Sequence, residues 1–141
     1  MSDNFVGFAQ SPKADPNRKL KTYSTELSLG ADLKTVFAAF NEPEFYDKVF
    51  DKLAKLDFRQ GAKLTFEGET QYRGTFSRID IPREIILLTE LHGEIAFRFK
   101  DRKGSHIKLQ VKKALLEEEI STWSSACEKI VSNLGATFGS K

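Results

Sequence analysis

Hydrophobic and polar positions alternate in two parts of the chain. In the first part, Tyr23, Leu27 and Leu29 share one face, which is the period of two expected of a half-buried strand. Five more stretches with this period follow between residues 55 and 115, joined by short turns. The pattern therefore predicts six strands, the last five forming an antiparallel meander.

Between these two parts, the apolar residues recur with the spacing of a helix. Asp32 is a suitable N-cap for a first helix whose apolar stripe includes Leu33 and Phe40. Pro43 then interrupts this helix, because proline lacks an amide donor, yet it suits the first turn of a second one. We expect that short second helix to span roughly residues 44–52.

The closing segment has the longest helical pattern. Trp123, Cys127, Ile130 and Leu134 follow spacings of three and four, so residues 117–138 are predicted to form one long helix. Three glutamates in its first turn suit the positive end of a helix dipole.

Strands and helices are segregated along the chain, which is typical of an α+β fold. We predict a six-stranded antiparallel curved sheet wrapped around the long C-terminal helix, with two short helices between the first and second strands. A length of 141 residues fits one such domain, assigned to residues 20–141. Residues 1–19 are predicted to form a flexible arm. Its Phe5 and Phe8 could dock onto the same domain or onto a second copy, so we expect a monomer or a weak dimer.

Composition narrows the classes of partner. The net charge is only +2 and the basic residues are scattered, so no nucleic-acid partner is expected. A single cysteine cannot form an internal disulfide, and the chain opens without a signal-peptide pattern, which favours a cytoplasmic protein. Its apolar runs are too short for insertion into a membrane.

Residues with reactive side chains are few. His92 and His106 stand next to or near glycines at predicted strand starts, so we expect both to face solvent rather than to act as bases. Cys127 lies among apolar neighbours in mid-helix and is expected to be a buried, inert thiol. We find no metal-ligand spacing and no phosphate-binding loop, and we predict no catalytic residue, metal or cofactor.

Several local motifs resemble those of the START/Bet v 1-like superfamily, and within it the group related to the activator of Hsp90 ATPase. Asp57, Gly61 and Phe66 match a "D-x-x-x-G-G-x-x-x-F" motif, although its second glycine is Ala62 here. Gly74, Pro82 and Ile85 or Ile86 match "G-x-(several)-P-x-x-I/L", and Asn41-Glu42-Pro43 matches the family's link between the two short helices. Trp123, Cys127 and Ile130 stand where the last helix often reads "G-W-x-x-x-L-x-x-L".

This resemblance implies the helix-grip fold, but it leaves the function open because the superfamily includes lipid carriers, receptors, cyclases and co-chaperones. One departure concerns the second helix, where the tryptophan common in this group is absent and the sequence reads Phe45-Tyr46-Asp47. The chaperone-stimulating motifs of the Hsp90 activator also have no counterpart in this chain.

The twelve phenylalanines favour a chamber for an apolar ligand, since such rings line ligand cavities as well as cores. We predict binding of a small hydrophobic or aromatic molecule between sheet and C-terminal helix, although closure of these rings on one another would leave no cavity. Two alternatives are an interaction domain associated with Hsp90, and a cyclase or dehydratase that uses Tyr46, Tyr72 or His106. The predicted lining consists of Phe37, Phe40, Tyr46, Phe66, Tyr72, Phe76, Leu87, Thr89, Phe97, Phe99, Leu109, Ile120, Trp123, Cys127 and Ile130.

Overall fold

The computed structural model describes residues 17–68, 71–101 and 105–139. Within these ranges the chain forms an antiparallel sheet of seven strands, three α-helices and one 3₁₀ turn. In chain order the elements are β1 (Lys19–Leu29), α1 (Leu33–Ala39), α2 (Pro43–Phe50), β2 (Ala54–Leu56), β3 (Lys63–Phe66), β4 (Tyr72–Asp80), β5 (Glu84–Thr89), β6 (Gly93–Asp101), β7 (Ser105–Leu115), the 3₁₀ turn (Glu117–Glu119) and α3 (Ile120–Phe138).

The sheet has the strand order β1-β7-β6-β5-β4-β3-β2. From β2 to β7 each strand pairs with the next one in the chain, as predicted for a meander, and β1 pairs with β7 along its whole length. The two short helices connect the two edges of the sheet, because they lie between β1 and β2 in the chain. The prediction of an α+β fold with two short helices after the first strand is confirmed.

The predicted number of six strands is wrong, because the sheet has a seventh strand. Strand β2 pairs Ala54 with Phe66 and Leu56 with Leu64, and so extends the sheet beyond β3. A strand of three residues shows too little alternation for the period of two to be recognised. Its position at the edge depends on the partner strand rather than on its own pattern.

The helices begin where the sequence indicates. The amide of Thr35 donates to the Asp32 carboxylate at 2.9 Å, so Asp32 is the N-cap of α1. Pro43 is the first residue of α2, which ends at Phe50 rather than near residue 52. The predicted last helix is divided, since its three glutamates form the 3₁₀ turn and α3 begins only at Ile120.

The core lies between one face of the sheet and the helices. Alternate residues of the long strands point inward, as Phe97 and Leu109 do on β6 and β7, and both are fully buried. Helix α3 covers this face with the buried side chains of Trp123, Cys127, Ile130 and Leu134, as the stripe predicted. The other face carries charged groups such as Arg98, whose guanidinium donates to Glu84 at 2.8 Å.

Both ends of α3 are attached to the sheet by hydrogen bonds. At the C-terminal end, the amide of Gly30 donates to the carbonyl of Gly139 at 2.9 Å. At the N-terminal end, the indole of Trp123 donates to the carbonyl of His92, in the turn between β5 and β6, at 3.1 Å. The helix is therefore held at both ends, which defines the space beneath its first turns.

Two predicted features fall mostly outside the described residues. They are the N-terminal arm with Phe5 and Phe8, of which only residues 17–19 are described, and the turn at residues 101–104. The first strand begins at Lys19. In the described part of the chain, no helix is long and apolar enough to cross a membrane.

Candidate functional site

The fifteen residues predicted to line a chamber belong largely to the core. Twelve of them are buried, and Phe37, Tyr72 and Ile120 are half-buried. The sheet and the helices bring these side chains to the same interior. Their burial by itself does not create a space for a ligand.

The aromatic rings of this interior contact one another. The ring of Phe40 lies 4.6 Å from that of Phe45 and 5.1 Å from that of Phe97, measured between centroids. Phe37 meets Phe99 at 4.6 Å in an edge-to-face arrangement. These separations are those of rings in direct contact. At Phe40, the rings therefore fill the interior with one another.

A cavity of about 360 Å³ lies at the N-terminal end of α3 and opens at the surface. It is formed where the first turn of the helix passes over the end of β7 and the turn between β5 and β6. Its volume is at the lower end of the range of small-molecule sites. Its lining comprises Leu91, His92, Lys113, Leu115, Glu118, Glu119, Thr122, Trp123 and Ala126.

Only one predicted lining residue, Trp123, borders this cavity. Ile120 and Ile130 border two neighbouring cavities of about 330 and 120 Å³, and Thr89 borders one of about 310 Å³ beside Leu88 and Glu90. The smallest cavity lies beneath α3 and shares His92 and Ala126 with the 360 Å³ cavity. These two side chains therefore stand between the two spaces.

The expectation that His92 faces solvent is wrong, because only 8% of this residue is exposed. Its backbone amide donates to Thr89 Oγ1 at 2.9 Å, and its carbonyl accepts the Trp123 bond, so the turn is folded under the helix. The ring lies 5.7 Å from that of Phe50. Burial, together with the charge of Lys113, lowers the pKa of His92 to about 4, so the imidazole is neutral at pH 7.

The sequence contains no signal that could have revealed His92 as a cavity residue. A histidine followed by glycine between two strands is typical of an exposed hairpin turn. What buries it is the bond to Trp123, which is 31 positions away in the chain. Contacts of that separation follow from the tertiary fold alone.

Two of the charged residues that line the cavity, Lys113 and Glu119, are bonded to other parts of the protein. Lys113 Nζ donates to the carbonyl of Leu91 at 2.9 Å. Glu119 forms an ion pair with Arg18 and also accepts from the amide of Leu116 at 2.8 Å. That backbone bond and then the Arg18 bond lower the pKa of Glu119. The cavity thus offers apolar walls and a neutral imidazole, with opposite charges near its mouth.

The thiol of Cys127 is fully buried, as expected. Burial and the nearby Glu128 raise its pKa to about 11, so the thiol is protonated at pH 7 and is a poor nucleophile. Among the described residues, no group of three or more histidine, cysteine, aspartate or glutamate side chains is arranged to hold a metal ion.

The alternative enzymatic function would use Tyr46, Tyr72 and His106, whose side chains have different surroundings in the structure. The hydroxyl of Tyr46 is buried and donates to the carbonyl of Phe40 at 2.6 Å, and burial raises its pKa. Tyr72 is half-buried, and its ring lies 5.5 Å from Lys52 Nζ. His106 is on the charged face of the sheet, where its Nε2 lies 2.7 Å from Glu26. None of them lines the 360 Å³ cavity.

Solved structures of other proteins share this arrangement of sheet and helices. Bacillus halodurans protein BH1534 superposes with a TM-score of 0.69 at 11% identity, over 83% of this chain and 95% of that one. Rhizobium loti protein Mll3558 has a TM-score of 0.68 at 14% identity, over 84% and 97%. An AHSA1-like protein from Aeromonas hydrophila has a TM-score of 0.59 at 15% identity, over 83% and 94%.

The chain has the helix-grip fold. The resemblance found in its motifs is thereby confirmed at the level of the fold. No protein-family model matches the chain, and no curated protein sequence matches it. In this helix-grip domain the 360 Å³ cavity lies at the N-terminal end of the gripped helix, whereas the predicted chamber also includes Cys127 and Ile130 further along it.

Acid is expected to destabilise the helix-grip domain through His92. In the unfolded chain His92 becomes protonated below its ordinary pKa of 6.5. In the folded protein it stays neutral until the pH is about 4. Stability therefore falls as the pH falls through this window, by about 3 kcal/mol for a shift of this size. Urea unfolding of the wild type and of His92→Gln between pH 7 and pH 4 measures this, and a constant difference between the two would contradict it.

Proposed function

We propose that this domain binds a small hydrophobic or aromatic molecule in the cavity beside Trp123. The observation that carries the proposal is the cavity itself, a space of about 360 Å³ whose walls include the indole of Trp123 and the side chains of Leu91, Leu115 and Ala126. Apolar walls with a few polar groups are what such ligands require. The predicted function is kept, and we narrow its site to the N-terminal end of α3, where Trp123 is the predicted lining residue that remains.

Trp123 is suited to be a wall of this site. Its only donor, the indole N–H, is engaged by the carbonyl of His92. The indole therefore offers only ring surface, which suits an aromatic or aliphatic ligand. Because this is the single tryptophan of the chain, its fluorescence reports on the cavity without a label.

Chaperone association has weaker support. The structural similarity to the AHSA1-like protein is at 15% identity and extends to the fold. A fold shared by binding proteins and co-chaperones does not distinguish between them. An enzymatic function has no support from Tyr46, Tyr72 and His106, because none of them lines the cavity and His106 lies beside Glu26 on the charged face of the sheet.

Filling the cavity is expected to weaken binding. Ala126→Leu adds a larger side chain to the cavity wall while keeping a residue that favours helix, so affinity for neutral aromatic compounds should fall by about tenfold or more. Binding is measured by Trp123 fluorescence and by NMR titration with a panel that includes naphthalene derivatives and fatty alcohols.

Ala136→Leu is the matched control, because Ala136 is an exposed alanine of the same helix and does not line the cavity. It should bind the panel as the wild type does. If no compound of the panel perturbed Trp123 or the amides around it in the wild type, the proposed function would be rejected.

A further inference from the structure

The imidazole of His92 is a buried polar group with unused hydrogen-bonding capacity. Within residues 17–68, 71–101 and 105–139, neither ring nitrogen has a hydrogen-bond partner, although the backbone N–H and C=O of this residue are both bonded. Buried polar atoms normally have partners, since an unsatisfied one destabilises the fold. This exception borders both the 360 Å³ cavity and the 120 Å³ cavity, and its ring lies 5.7 Å from that of Phe50.

We propose that His92 is the specificity-determining residue of this site, and that its ligand is a neutral molecule with an aromatic body and a hydroxyl group bonded to the imidazole. The proposal rests on the proposed function, because it names the class of ligand for the same cavity. A neutral imidazole has one nitrogen that accepts and one that donates. A hydroxyl group can pair with either of them.

Other polar groups around the cavity are less suited to this role. The Trp123 N–H is bonded to His92, and Lys113 Nζ is bonded to Leu91. Glu119 is bonded to Arg18 and to the backbone. Thr122 is exposed, so its hydroxyl lies where water competes for it. The imidazole is the buried group that a ligand can satisfy.

A neutral ligand agrees with the charges near the cavity. Lys113 on β7 and Arg18 before β1 are balanced by Glu118 and Glu119 on the 3₁₀ turn. At the surface, Asp51 at the end of α2 is paired with Lys129 of α3. The charges at the cavity sum to zero, so neither sign of ligand charge is favoured overall, and the aromatic body of a neutral ligand matches the indole wall.

The test compares two probes of similar size, 2-naphthol and 2-methylnaphthalene. The wild type should bind 2-naphthol more tightly by about five- to tenfold, which is the value of one hydrogen bond. His92→Phe removes both nitrogens but keeps a ring beside Phe50, so it should lose this preference and bind 2-methylnaphthalene at least as tightly as 2-naphthol. His92→Gln keeps a donor and an acceptor and should restore part of the preference.

Each outcome separates this inference from the proposed function. Equal binding of the two probes by the wild type would overturn the role of His92 and leave the binding function in place. A preference that persisted in His92→Phe would overturn it too, because another group would then contact the hydroxyl. If neither probe changed Trp123 fluorescence, both proposals would fall. Thermal unfolding of both variants checks that they are folded.

Discussion

Gly93→Ala is expected to lower the free energy of unfolding by about 2–5 kcal/mol, which is a large part of the stability of a domain. Gly93 has φ of +89°, a conformation that residues with a side chain rarely adopt. A Cβ atom at this position would also collide with the carbonyl of Lys112 and contact the Cβ of Lys113. Urea unfolding of the variant measures the loss.

Gly61→Ala is the control that separates backbone strain from the steric clash of the added Cβ atom. Gly61 has nearly the same φ, +85°, but nothing lies within 4 Å of a Cβ built there, so only conformational strain of about 1–2 kcal/mol is expected. The difference in the free energy of unfolding between the two variants measures the cost of the steric clash where the β5–β6 turn approaches β7. Equal losses would show that this approach is unimportant, and the placement of His92 beside Lys113 would lose its support.

Phe40→Ala should destabilise the domain by about 3–5 kcal/mol, as expected for a buried ring that leaves a cavity. Phe40 is only 1% exposed and contacts Phe45 and Phe97 closely, with Phe99 6.1 Å away. It therefore joins α1, α2 and β6. The loss is measured by urea unfolding at constant pH.

Leu20→Ala is the control for this prediction. Leu20 is 67% exposed on strand β1, so its truncation should change stability by less than about 0.5 kcal/mol. A loss below about 1 kcal/mol for Phe40→Ala would contradict the packed interior. It would instead favour the open chamber among these rings that the sequence had predicted.

Features of the fold that depend on residues close in sequence were predictable from the sequence. The Asp32 cap, the helix start at Pro43 and the apolar stripe of α3 each depend on neighbours within a few positions, and each is confirmed. Strand β2 could not be predicted from the sequence, because three residues are too few to show a period of two. Gly74 belonged to a recognised motif, and the structure explains it. A Cβ atom there would lie 2.8 Å from the carbonyl of Leu88.

The candidate site was only partly predictable. Trp123, predicted to line a ligand site, borders the 360 Å³ cavity, whereas phenylalanines predicted to line that site contact one another. Whether rings close or leave a space depends on their volumes and angles in three dimensions. A list of inward-facing residues does not contain that information.

The sequence by itself determined the fold class, the order of helices and strands, and the face of α3 that is buried, because these follow from periodicity, caps and turn residues. The tertiary structure alone decided where space remains. It placed His92 beneath the helix through a bond to Trp123 and left the imidazole without a partner in the described residues at the wall of a cavity. The physical reason is that burial and cavity volume arise from contacts between residues far apart in the chain.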